Sequence, residues 1–245
     1  MNLTTRLNCV SCAASGSDVK ADLCRAEAAA LAPQLRVRIK ICGITSPQDA
    51  RAAVASGADA LGLVFYAGSK RCVTPEQARQ ISAAIPPFVT RVGLFVNAEP
   101  EYIEQVISSC KLDMAQLHGD ETPAQCRIPG VRVLKALRLK DRVNFLQCRA
   151  YRAAGVEAFL VDAWVQDVYG GTGTCAAWEL AAQLAREQCV VLAGGLTPDN
   201  VGVAIQQVSP YAVDVSSGVE RSAGIKDVQK MRAFVNAVQC GHGPV

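Results

Sequence analysis

The sequence predicts a single (β/α)8 barrel carrying an N-terminal extension, and three observations predict it. From residue 37 onward, eight short apolar runs of strand length alternate with amphipathic helical patterns. Several of those helical patterns open on a hydroxyl residue followed by proline, a start signal for a helix. Two glycine-containing turns follow the seventh and eighth runs, where barrels of this kind bind phosphate. Eight such units in one chain favour a closed barrel over an open, doubly wound sheet.

The first run, residues 37–42, ends in Ile41-Cys42-Gly43. Thr45-Ser46-Pro47 then starts a helix over 47–56. Residues 60–65 make the second strand, and Thr74-Pro75-Glu76 opens a helix over 75–85. The third unit is a strand at 90–96 with a helix at 101–110. A fourth strand at 114–117 is followed by a short connection around 122–127 that carries the weakest helical pattern. Residues 131–137 and 141–154 form the fifth unit. The sixth strand, 156–161, leads into a long connection containing Tyr169-Gly170-Gly171-Thr172-Gly173, which reads as a loop able to fold over a ligand, and then a helix at 176–187. A strand at 190–193 and a helix at 198–207, opened by Thr197-Pro198-Asp199, make the seventh unit. The eighth is 212–215 with a helix at 226–238.

Composition excludes several classes of protein. The chain has 245 residues, half of them apolar, and a net charge of +3. No basic stripe with interleaved aromatics marks a nucleic-acid surface. The longest apolar stretches fall short of the roughly 18 residues that a membrane span needs. Eleven cysteines are an odd count in a long chain without a secretory h-region. They read as reduced thiols in a cytoplasmic protein.

Residues 1–36 stand apart from the barrel at 37–245. Residues 1–17 hold Arg6 and no acid before Asp18, which faintly resembles an organellar transit peptide; the alternative is a frayed extension or an early start codon. Residues 19–35 read as helical. Cys9 and Cys12 have C-x-x-C spacing, but too few further ligands accompany them for zinc. With only two histidines, His118 and His242, the expectation is no metal.

The candidate chemistry sits at strand ends. Cys42 closes the first run and Asp162 follows the sixth, so the fold sets a thiol and a carboxyl across one mouth. Gly194 and Gly195 after the seventh run, with Ser216 and Ser217 after the eighth, supply backbone and hydroxyl donors for a phosphate. The absence of G-x-x-x-x-G-K-[ST] excludes a P-loop. Arg71, in Gly68-Ser69-Lys70-Arg71, has the planar fork that suits a carboxylate. Lys40 reads as an internal ion-pair partner, and His118 as a pocket-lining or hydrogen-bonded side chain. Cys72, Cys110, Cys126, Cys148, Cys175 and Cys189 read as small core residues.

Taken in order, Lys40-Ile41-Cys42-Gly43-Ile44-Thr45, Phe65-Tyr66-Ala67-Gly68-Ser69-Lys70-Arg71, Val92-Gly93-Leu94-Phe95-Val96-Asn97, Gln116-Leu117-His118-Gly119, Leu160-Val161-Asp162, Tyr169-Gly170-Gly171-Thr172-Gly173, Gly194-Gly195-Leu196 and Val213-Asp214-Val215-Ser216-Ser217-Gly218-Val219-Glu220 resemble the motifs of phosphoribosylanthranilate isomerases of tryptophan biosynthesis. The resemblance runs from Val37 to about Val238. It implies a cofactor-free barrel enzyme, monomer or homodimer, acting on a phosphorylated small molecule. The implied reaction is an Amadori rearrangement, with Asp162 as acid, Cys42 as base and Arg71 on the anthranilate carboxylate. Such a pair needs opposite tuning, because a free carboxyl titrates near about 4 and a free thiol near about 8.5. A related isomerase of histidine synthesis uses a carboxylate where Cys42 stands. A ribulose-phosphate epimerase would need more metal-ligating histidines. A noncatalytic phosphate-binding or assembly module is the third alternative, and the combination of Cys42, Asp162 and Arg71 weighs against it.

Overall fold

A computed structural model describes residues 36–137, 143–162 and 172–241. Within the compact unit Val37–Val245, eight parallel strands close into a barrel in chain order: β1 (Arg38–Cys42), β2 (Ala60–Val64), β3 (Thr90–Phe95), β4 (Met114–Leu117), β5 (Arg132–Leu137), β6 (Val156–Asp162), β7 (Val190–Ala193) and β8 (Ala212–Val215). The surrounding helices are α1 (Pro47–Ser56), α2 (Pro75–Ala83), α3 (Pro100–Ser109), α4 (Val143–Ala153), α5 (Thr172–Ala185), α6 (Val201–Val208) and α7 (Val228–Gly241). The predicted fold class holds, and no strand end departs from its apolar run by more than one residue. Among the described residues no helix crosses between β4 and β5, where residues 123–126 form a turn. The expected helix at residues 19–35, the Cys9/Cys12 pair, most of the Tyr169–Gly173 loop and His242 lie outside the described residues.

Alternation along each strand builds two layers. Ile39, Ile41, Phe159, Val161, Leu192 and Val213 belong to the large cluster beneath the helices. Leu134, Leu160, Val191, Ala193 and Ala212 form a smaller cluster inside the barrel. Burying one such side chain contributes roughly 1.5–3 kcal/mol, so both layers favour closure. By the same alternation Lys40, Cys42, Gln116, Asp162 and Asp214 occupy inward positions. Register fixes their height, pairing Cys42 with Gly62, and Lys40 with both Ala60 and Asp214.

Local signals set the helix starts. Ser46 Oγ accepts from Asp49 N–H at 3.1 Å with Pro47 in the first turn of α1. Thr74 and Gln77 form a reciprocal capping box on α2. The expected start at Thr197-Pro198-Asp199 needs correction. Asn200 Oδ1 accepts from Thr197 N–H at 2.8 Å and its Nδ2 donates to the Gly195 carbonyl at 2.9 Å, so those residues close a turn and α6 begins at Val201. Side-chain bonding to nearby backbone has displaced the helical pattern there.

Two short strands, β9 (Glu220–Ser222) and β10 (Ile225–Lys226), form an antiparallel hairpin after β8. Neither is long enough to show an alternating pattern. Gly224 turns the hairpin at φ 80°. Cys110, Cys126 and Cys148 are buried as expected, Cys189 is half-buried, and Cys72 is exposed. Cys72 lies just past the barrel edge, bridged to Val64 outside the strands proper. Among the described residues no helix is long and apolar enough to cross a membrane.

Candidate active site

The polar side chains at the carboxyl ends of the strands fall into two groups. The first surrounds Cys42, whose side chain is buried at the end of β1. Beneath it Lys40 Nζ donates to Asp214 Oδ1 at 2.8 Å, both side chains nearly enclosed. Burial pushes the Cys42 thiol above its ordinary value, and Asp214 adds to this; the Lys40 and Lys226 ammonium groups oppose it without overcoming it. Burial works to lower the Lys40 value, but Asp214 and Cys42 carry it upward overall. Burial therefore favours the neutral thiol, beside a cation that favours its ionised form.

Space around the thiol comes from Gly62. A Cβ built there would stand 2.7 Å from Cys42 Sγ and 3.1 Å from Lys40 Nζ. At Gly43, φ is +76° and a side chain would collide with Arg71 Cδ. The arginine shaft thus crosses the end of β1 next to the thiol. Its guanidinium meets Glu220 bidentately, Nε to Oε1 at 2.8 Å and Nη2 to Oε2 at 2.7 Å. Lys226, its side chain fully enclosed, donates to Glu220 Oε1 at 2.8 Å and to the Ser216 carbonyl at 3.2 Å.

The second group lines a cavity of about 350 Å³ that includes Asp162, His118, Asn97 and Lys135. Cys42 is not among its lining residues. Lys135 Nζ donates to Glu121 Oε2 at 3.0 Å and to the Gly119 carbonyl at 2.7 Å. Burial pushes the Glu121 carboxyl up, but Asn97 N–H and Lys135 outweigh it and hold the group below the ordinary range. Gln116 Nε2 lies 2.8 Å from His118 Nδ1, a hydrogen bond that holds the ring in place. Burial lowers the His118 value; Lys40 and Lys135 push the same way, whereas Asp214 and Asp162 oppose. His118 thereby stands within electrostatic reach of both groups.

The third feature is the pair of loops after β7 and β8. Gly194 and Gly195 are consecutive left-handed residues, at φ 92° and 62°. Gly218 packs so closely on the Leu196 carbonyl oxygen that a Cβ would collide with it, so the two loops meet backbone to backbone. Ser217 and Gly218 border a cavity of about 560 Å³ with Thr197 and Lys230. Among the described residues no cluster of three His, Cys, Asp or Glu is arranged to hold a metal ion.

The expected site residues Cys42, Arg71, Asp162, Gly194, Gly195, Ser216 and Ser217 thus all lie at or just past the carboxyl ends of the strands. Cys42 and Arg71 adjoin, Asp162 lies with His118, and the glycine and serine loops adjoin each other. Sequence reasoning gave no role to Glu220, which it named only as the last residue of a motif, and did not single out Lys226, Glu121 or Lys135. For Lys135 and Lys226 the available signal was a lone lysine in or beside an apolar run.

A closed parallel barrel that gathers its polar and charged groups at the carboxyl ends of the strands has the architecture of a (β/α)8 enzyme. The family model for N-(5'-phosphoribosyl)anthranilate isomerase matches residues 39–237. The isomerase of Trichlorobacter lovleyi is 52% identical over 200 residues, covering 81% of this chain and 96% of that protein. The isomerase of Pseudomonas fluorescens SBW25 is 52% identical over 208 residues, covering 84% of this chain and 98% of that one. The crystal structure of the Thermotoga maritima enzyme superimposes with a TM-score of 0.75 at 44% identity, over 83% of this chain and 99% of that one. A crystal structure of phosphoribosyl anthranilate isomerase in complex with reduced 1-(o-carboxyphenylamino)-1-deoxyribulose 5-phosphate gives 0.73 at 43% identity, with the same coverage. The chain belongs to the N-(5'-phosphoribosyl)anthranilate isomerase family.

Proposed function

We propose that the barrel converts N-(5-phosphoribosyl)anthranilate to 1-(2-carboxyphenylamino)-1-deoxyribulose 5-phosphate, with Asp162 as general acid and Cys42 as general base. Asp162 gives a proton to the furanose ring oxygen, the C1–O bond breaks, and the amine nitrogen's lone pair forms an iminium with C1. The iminium charge favours the thiolate form of Cys42, whose proton leaves to water, and the thiolate takes the C2 proton; the electrons left at C2 form an enolamine, which tautomerises to the ketone, and Asp162 regains its proton from water. Atoms and charge balance without an added reactant, and no metal or cofactor takes part in the proposed route. Arg71 holds the anthranilate carboxylate, while Gly194, Gly195, Ser216 and Ser217 bind the phosphate. The observation that carries this reading is the placement of Cys42 and Asp162 on the inward-facing ends of β1 and β6, with Arg71 drawn over Gly43 beside the thiol.

The barrel at 37–245 carries every proposed site residue, and residues 1–36 are proposed to lie outside the catalytic unit. A cytoplasmic location is proposed from the free thiols. A related Thermotoga maritima structure is described as monomers generated from a dimeric enzyme. A homodimer is the corresponding proposal for this chain, which sedimentation checks.

The test mixes purified protein with freshly generated phosphoribosylanthranilate and follows the loss of its fluorescence, with and without EDTA. Turnover that survives the chelator is expected. No turnover would overturn the assignment; a rate lost to EDTA and restored by a divalent ion would overturn the metal-free route.

A further inference from the structure

Three buried charge groups at the mouth balance differently. Lys40 meets Asp214 one to one, as Lys135 meets Glu121. Around Glu220 two cations share one carboxylate, Arg71 at 2.7 Å and Lys226 at 2.8 Å, with Glu220 and Lys226 both almost fully enclosed. One positive charge is left over in that cluster. The surplus falls on the Arg71 guanidinium, whose side chain is 25% exposed and so open to a ligand, and an opposite charge joining it there would balance the cluster.

We infer that Glu220 and Lys226, carried on the β9–β10 hairpin, build the ligand-carboxylate subsite: Glu220 is a positioning residue for Arg71, and the surplus charge selects a ligand bearing a carboxylate there. The inference rests on the reading that Arg71 meets the substrate carboxylate. Geometry supports a positioning role. Glu220 occupies the Nε and Nη2 edge of the guanidinium, which leaves the Nη1 edge for a ligand and fixes the plane in which it is offered. An arginine held in this way gives up little rotamer freedom when a carboxylate arrives.

The hairpin is tied to the rest of the mouth at several points. Thr45 Oγ1, just past β1, donates to the Gly224 carbonyl at 2.5 Å. Asp49 of α1 accepts from Lys226 N–H at 3.2 Å, and Lys230 Nζ of α7 donates to the Glu220 carbonyl at 2.8 Å. Those two side chains carry opposite charges and meet hairpin backbone, so they leave the surplus unchanged. Lys226 Nζ also reaches the Ser216 carbonyl, linking the carboxylate subsite to the proposed phosphate loop. One small hairpin thus sets the spacing between the two anionic ends of a single ligand.

The test compares two ligands: the reduced product analogue with its 2-carboxylate, and the same molecule lacking that carboxylate. Inorganic phosphate serves as a third probe. Binding to wild type, Glu220→Gln and the double variant Glu220→Gln/Lys226→Met is measured by calorimetry. Removing Glu220 alone also raises the surplus charge to two, so the double variant, which removes one charge of each sign and keeps the surplus at one, isolates positioning. In the folded double variant the preference for the carboxylated ligand should fall by about threefold to tenfold, as expected for a side chain that must now be ordered on binding, while phosphate affinity stays unchanged. An unchanged or larger preference there, or equal weakening of all three probes, would overturn the positioning role. Glu220→Gln should keep at least as much of the preference as the double variant, and a smaller preference than the double variant's would overturn the role given to the surplus charge. If wild type itself does not distinguish the two ligands, the assignment of Arg71 to the carboxylate is what fails.

Discussion

Replacing Gly62 by alanine tests the placement of the thiol without touching a proposed catalytic group. The new Cβ would lie 2.7 Å from Cys42 Sγ and 3.1 Å from the Cys42 Cα. Ordinary contact between such atoms is about 3.5–4.0 Å, so sulfur must retreat by about 1 Å. The paired strand cannot give way cheaply, because Cys42 and Gly62 are register partners. Overpacking of this kind costs about 1–3 kcal/mol. For a chain of this size that lowers the melting temperature by about 2–4 °C per kcal/mol, leaving a folded protein. A base misplaced by 1 Å loses on the order of 10²-fold in rate. The expected result is a folded Gly62→Ala protein, checked by circular dichroism, with kcat down about 10²-fold in the fluorescence assay and product affinity nearly kept. A folded variant with near-wild-type kcat would refute the argument that this thiol does the chemistry from this position.

Cys42→Ala and Asp162→Asn should each lose at least about 10² in turnover while still binding product, and Cys42→Ser should behave like the alanine variant, because a hydroxyl is too weak an acid to supply the base. Near-wild-type turnover by Cys42→Ser, measured as loss of substrate fluorescence, would reduce the thiol to packing. Arg71→Lys keeps the charge but loses the fork, so KM should rise more than kcat falls; an unchanged KM places Arg71 outside the carboxylate subsite. Since burial holds the Cys42 thiol above its ordinary value, the ionised base becomes more populated as pH rises, and kcat/KM should climb through the alkaline thiol range; a flat profile there removes Cys42 as the free enzyme's base. Glu121 is held below the ordinary carboxyl range in the folded state, so its contribution to stability is present above about pH 4.3 and is lost as pH falls through its lower folded value. The stability gap between wild type and Glu121→Gln, read from urea unfolding, should therefore shrink only below that range.

The barrel was legible because most of the apolar runs are followed within a few residues by a capping residue or a glycine, local signals that the fifth run, which leads into Arg138-Leu139-Lys140, lacks. Cys42 and Asp162 could be placed for the same reason, as each ends such a run. What the pattern hid were contacts made through space. Arg71 and Glu220 are 149 residues apart in the chain yet share a bidentate ion pair, and no local period announces that. Lys135 sits inside an apolar strand, where its charge reads as an interruption until Glu121 and the carbonyl of Gly119 are seen around it. The hairpin escaped because strands of three and two residues cannot display alternation. At Thr197-Pro198, a good helix signal was present but Asn200 claimed the same backbone groups for a turn.

The resting state of the thiol bears on the order of events in the proposed reaction. A buried Cys42 held above its ordinary value is a weak base in the empty site, and Lys40, its nearest cation, is already engaged by Asp214. Ring opening changes that balance. Once the acid has protonated the ring oxygen and the C1–O bond has broken, the ligand carries an iminium at C1, one bond from the carbon whose proton is to be removed. That charge acidifies C2 and stabilises the thiolate together, in surroundings where burial strengthens every charge interaction. The acid step must therefore precede the base step. A thiol is well suited to this order, because its ordinary value lies above neutrality and the arriving positive charge is what favours its ionised form.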